Sequence, residues 1–68
     1  MNLGENIKQM RNKKGWTQTE LAKKVGTGTS MIGHIERGVK IPSLALALSL
    51  AQVFDCTVED MCVKKEDN

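Results

Sequence analysis

A chain of 68 residues with 40% hydrophobic and 26% charged side chains has the balance of one small folded domain, outside the compositional range of disorder. Its longest nearly apolar stretch, 41–54, is interrupted by Pro42, Ser43, Ser49 and Gln52 and is too short to span a bilayer. The net charge of +2 hides an asymmetry: residues 1–40 carry eight Lys and Arg against three acids, and residues 41–68 carry two against five. A basic half beside an acidic half fits nucleic-acid contact, and equally the solvated faces of helices.

Hydrophobic periodicity is helical nearly throughout, with no β-type alternation and no internal repeat, so five helices are predicted. The first covers about Leu3 to Lys14. Asn2 and Glu5 have capping-box spacing, and Leu3, Ile7 and Met10 make one apolar stripe. Lys13 and Lys14 suit the negative end of the helix dipole, and Gly15 is the expected stop.

The second helix has the clearest start in the chain. Thr17 and Glu20 form a T-x-x-E capping box, while Trp16 and Leu21 have the spacing of a hydrophobic staple. Leu21, Ala22 and Val25 are its inward positions, and Gly26 ends it in a left-handed conformation.

The third helix falls in "VGTGTSMIGHIERG" and runs from Thr29 to about Arg37, capped by Gly28 or Thr27. This is poor helix material, because a glycine inside a helix costs about 1 kcal/mol relative to alanine. Ile32 and Ile35, with Met31 beside them, form its buried side. Thr29, Ser30, Gly33, His34 and Arg37 fall on the remaining surface, and Gly38 closes the helix.

A fourth helix, about Ser43 to Phe54, has an apolar arc of about 220°, against the 100° or slightly more that a surface helix needs. Either its neighbours cover it or part of it meets a second subunit. Leu46 and Val53, with Val58, Met61 and Cys62 of the fifth helix, are the candidate dimer-interface residues; the alternative is that they complete the monomer core. The fifth helix starts at Thr57, and Val63 to Asn68 is expected to fray.

Cys56 and Cys62 are the only cysteines and are expected to be buried, inert thiols; with His34 they fall short of the four ligands of a structural zinc. No metal or cofactor is expected. Met1 is not followed by the pattern of a secretory signal, which makes the cytoplasm the expected compartment. No nucleophile–base constellation or acidic pair suggests an enzyme.

Two short helices joined by about three residues that include glycine have the spacing of a helix-turn-helix, whose second helix enters the DNA major groove. The stretch "GWTQTELAKKVGTGTSMIGHIERGVKIPS" resembles the Cro/phage-repressor type of helix-turn-helix protein, often called XRE. The marks are TQ-x-ELA opening the second helix, glycine in the turn, I-x-x-IE-x-G ending the third, and Pro-Ser before the fourth. The likeness extends from "IKQMRNKKG" to "LSLAQVFDCTVEDM".

The resemblance implies an all-α, compact five-helix lambda-repressor-like domain over residues 1–63, followed by a short tail at 64–68. It also implies a sequence-specific regulator of bacterial or phage type, in which Thr17 and Gln18 touch the DNA backbone and Gln18 also reaches toward bases. Thr29, Ser30, Gly33 and His34 would face base edges, and Arg11 would bond Glu36 to orient the third helix. Trp16, Leu46, Gly28 and Gly33 depart from the residue types usual at those places.

On this reading, small residues let the helix backbone sit close to the groove floor, and buried Ile32 and Ile35 offset the poor helix propensity of Gly33. Gly33 could instead allow close packing within the protein. Arg37 and Lys40 are candidate phosphate contacts. The partners expected are double-stranded DNA and a second copy of the chain, with neither a membrane nor a small-molecule ligand. The competing function is an antitoxin-like module that holds a protein partner and regulates its own synthesis through the same helices.

Overall fold

The computed structural model describes residues 3–63. Five helices follow one another: α1 (Leu3–Lys13), α2 (Gln18–Val25), α3 (Thr29–Glu36), α4 (Leu44–Val53) and α5 (Val58–Cys62). Among the described residues there is no strand, and no helix is long and apolar enough to cross a membrane. Asn2, read as a cap, and the 64–68 tail lie outside the described residues.

The boundaries follow local chemistry. α1 stops at Lys13, one residue before the expected end, and the chain then turns through Gly15 at φ 73°. At α2 the capping box is complete in both directions: Glu20 N–H donates to the Thr17 hydroxyl oxygen at 3.0 Å, and Thr17 N–H donates to Glu20 Oε1 at 2.8 Å. The bond from the Thr17 backbone foremost, and the Thr17 hydroxyl after it, hold the Glu20 carboxyl below its usual range. Gly26, at φ 74°, gives the left-handed residue that lets the chain leave α2 and start α3 at once.

Ser43 caps α4 from outside rather than forming its first residue, and Phe54 is the corresponding C-cap. Thr57 likewise caps α5, in a second capping box with Asp60 that the sequence reading passed over.

Ile7, Leu21, Ile32, Ile35, Leu50 and Met61 are fully buried and draw at least one anchor from every helix. Met61 is therefore a core residue, not part of a dimer interface. α5 packs on α1 and α4, and Met61 is the side chain it buries there. Leu46, Val53, Val58 and Cys62 are half-buried and pack against the same core. The wide apolar arc of α4 divides accordingly: Ala47, Leu50 and Ala51 face inward, while Leu44 and Leu48 stay 73% and 53% exposed.

Two contacts fix α1. Asn6, buried, donates its amide to the carbonyls of Met61 and Val63, both at 2.7 Å, closing the end of α5 against the start of the chain. Gly4 faces the end of α3 so closely that a methyl group there would overlap the Ile35 carbonyl oxygen and lie 2.8 Å from that of Glu36. Cys56 and Cys62 are free and half-buried rather than buried. Burial, with Asp60 and Asp55 nearby, raises the Cys56 thiol above its ordinary pKa.

Candidate nucleic-acid interface

α2 and α3 pack against each other, and α3 also rests on α1. Ile32 and Ile35, at 0% and 1% exposure, fix the rotation of α3 about its axis. With those two plugs inward, Thr29 and Ser30 at the first turn are exposed, His34 is half-buried, and Arg37 and Lys40 beyond the helix are exposed. Thr17 is exposed at the start of α2, where its hydroxyl oxygen accepts the capping bond from Glu20 N–H. The Thr29 hydroxyl donates to the Thr19 hydroxyl at 3.2 Å, tying the first turns of the two helices together. Thr19 had no role in the sequence reading, although its place two residues after a cap was visible there.

Behind this face lies a polar network. Arg11 Nε and Nη2 donate to Glu36 Oε2 and Oε1 at 2.6 and 3.0 Å, while Nη1 donates to the Trp16 carbonyl at 2.8 Å. Gln18 Nε2 adds a bond to Glu36 Oε1 at 3.0 Å. The side chain of Glu36 is only 2% exposed, and that of Arg11 11%. Burial would raise the Glu36 carboxyl, but the hydrogen bonds from Arg11 and Gln18 and the charges of Arg11 and Lys8 hold it below the usual carboxylate range. One carboxylate thus joins α1, the start of α2 and the end of α3.

Trp16, half-buried, stacks on Phe54 with ring centroids 5.9 Å apart, and the Lys24 ammonium sits 4.6 Å above its ring. This keeps the indole with the core, away from any base-stacking role.

Gly33 corrects the sequence reading. It is buried rather than open on the surface, because the side chains of Arg37 and Gln18 lie over it. A methyl group on Gly33 would be 3.2 Å from Arg37 Nη1 and 3.7 Å from Gln18 Oε1. Gln18 is half-buried, with its amide nitrogen already engaged by Glu36. Among the described residues no group of three or more His, Cys, Asp or Glu side chains is placed to hold a metal ion.

Two short helices joined by a left-handed glycine, the second anchored by aliphatic plugs and bearing a short polar outer face, define a helix-turn-helix domain. A helix-turn-helix family model matches residues 7–61. An HTH-type transcriptional regulator of Archaeoglobus fulgidus is 46% identical over 57 residues, covering 84% of this chain and 81% of that protein. Among solved structures, the biofilm regulator SinR in complex with DNA superposes with a TM-score of 0.83 at 34% identity, over 90% of this chain and 98% of that one. The P22 c2 repressor bound to a synthetic operator superposes at 0.86 with 28% identity, over 90% and 92%. The chain belongs to this helix-turn-helix family of transcriptional regulators, a family of DNA-binding proteins rather than enzymes.

Proposed function

We propose that the protein is a cytoplasmic, homodimeric repressor that binds a two-fold-symmetric operator in double-stranded DNA, with the outer face of α3 in the major groove. The observation that carries this reading is the exposure of Thr29 and Ser30 on a helix whose opposite side is locked by Ile32 and Ile35, with Arg37 exposed at its C-cap. The first turn of a recognition helix is where base edges are met, and hydroxyls and methyls there pair with several bases and with thymine. Thr17, Lys40 and the basic N-terminal half supply phosphate contacts, which give most of the affinity without choosing a sequence. SinR and the c2 repressor, both crystallised with DNA, support DNA as the partner.

The dimer is supported by apolar side chains that nothing among the described residues covers: Ile41 and Leu44, both 73% exposed, and Leu48, 53% exposed. Half-buried Leu46 lines a shallow groove with Ile41, and Val58 lines another with Leu48, so both border this face. Pairing two copies would place two α3 helices about one turn of DNA apart.

Selection of bound duplexes from a random pool tests the reading. Enrichment of a palindromic site with half-sites about 10 base pairs apart is the expected result. Recovery of a pool no different from the input would overturn DNA as the partner, and an enriched site without symmetry would overturn the dimer.

A further inference from the structure

We infer that Arg37 and Gln18, laid side by side over the bare backbone of Gly33, together form a reader for one G·C base pair in each half-site. The inference rests on α3 occupying the major groove as proposed above. The chemistry follows from the orientation of Gln18. The Glu36 carboxylate can only accept hydrogen bonds, so the Gln18 amide turns its nitrogen toward it at 3.0 Å. The carbonyl oxygen of that amide therefore faces the other way, over Gly33, with Arg37 Nη1 beside the same backbone position. Arg37 is exposed, and its side chain folds back one helical turn toward Gly33, as helical side chains lean toward the N-terminus.

A fork of donors next to a single acceptor is a specific pattern. The major-groove edge of G·C presents two adjacent acceptors, guanine N7 and O6, and then a donor, the cytosine amino group. A·T presents an acceptor, a donor and another acceptor, which cannot satisfy both arms of a guanidinium. Arg37 would take the guanine and the Gln18 oxygen the cytosine amine. Gly33 then acts as a seat. The tightest contact of a methyl group there would be the 3.2 Å approach to Arg37, so any larger side chain must displace the guanidinium. The bareness of Gly33 serves its neighbours' contacts rather than its own, and Arg37 reads a base instead of holding a phosphate.

The test uses the whole chain and the duplex recovered by selection, with each base pair replaced in turn and binding followed by fluorescence anisotropy. Wild type is expected to lose about tenfold or more in affinity when one particular G·C pair becomes A·T. Arg37→Lys keeps the positive charge but not the fork; it should flatten the preference at that pair to within about twofold while leaving preferences elsewhere intact. Gly33→Ala should weaken the preference at the same pair, with a thermal melt no lower than that of wild type, because its methyl presses on the movable end of Arg37 and alanine is the better helix former. An Arg37→Lys profile parallel to wild type across all duplexes, whether weaker or equal, would overturn the inference and return Arg37 to the phosphates. If wild type bound no duplex at all, the groove placement would fall with it, an outcome distinct from a parallel profile.

Discussion

Replacing Arg11 with methionine should be the most damaging single polar change in the protein. Methionine retains much of the arginine stem but loses two bonds to Glu36 and one to the Trp16 carbonyl. The Glu36 side chain, 2% exposed, would keep only the bond from Gln18. Removing one partner of a buried pair and stranding the other costs about 3–5 kcal/mol, a large fraction of the total stability of a domain this size. Urea unfolding followed by circular dichroism measures it.

The pH dependence carries a sign that exposes the cause. In the wild type the folded-state pKa of Glu36 is depressed, so its contribution is present above the unfolded carboxyl pKa and is lost as pH falls through the folded value. In Arg11→Met, burial acts with little opposition and raises that pKa, so the variant should instead regain stability relative to wild type as the solution is acidified through the carboxylate range. Adding Glu36→Gln should recover much of the loss at neutral pH, since the stranded charge is gone. A cost below about 1 kcal/mol, the range of exposed pairs, together with an unchanged pH slope would refute the buried-network reasoning.

Gly4→Ala should destabilise by about 1–3 kcal/mol in a thermal melt, because the new methyl meets two backbone oxygens that cannot rotate away; an unchanged melt would mean that α1 and α3 slide freely. Leu44→Glu, at a position 73% exposed, should leave the melt nearly unchanged yet shift sedimentation equilibrium toward monomer and weaken binding to the two-fold site. The Cys56 thiol should react with a disulfide reagent more slowly at neutral pH than a free cysteine does and catch up in alkaline buffer, since burial and Asp60 and Asp55 disfavour its thiolate.

Much of this architecture was legible in the residues because local chemistry decides it. The T-x-x-E box starts α2, Gly26 must take a positive φ, and Ile32 and Ile35 one turn apart choose the buried side of α3. What could not be read depends on where separate elements meet. The sequence shows that α4 has more apolar surface than one neighbour can cover, but which third stays bare is settled by the docking of α2 and α5, so Leu44 and Leu48 are exposed where Leu46 and Val53 were expected.

Met61 could serve core or interface until the position of α5 was known. Gly33 falls outside the buried Ile32–Ile35 side by angle, but it is buried by Gln18, fifteen positions earlier, and by the fold-back of Arg37. Asn6 and Gly4 gave weaker signals still: a buried asparagine and a glycine inside a helix show their reasons only once α5 and α3 arrive.

The central claim, that the outer face of α3 meets DNA, is tested most directly by titrating isotope-labelled protein with the selected duplex and following backbone amide resonances. The largest changes are expected at Gln18, Thr29, Ser30, Gly33 and Arg37, fading as salt is raised because phosphate contacts release counterions. Changes confined to Leu44 and Leu48 on α4, with α3 unmoved, would contradict it.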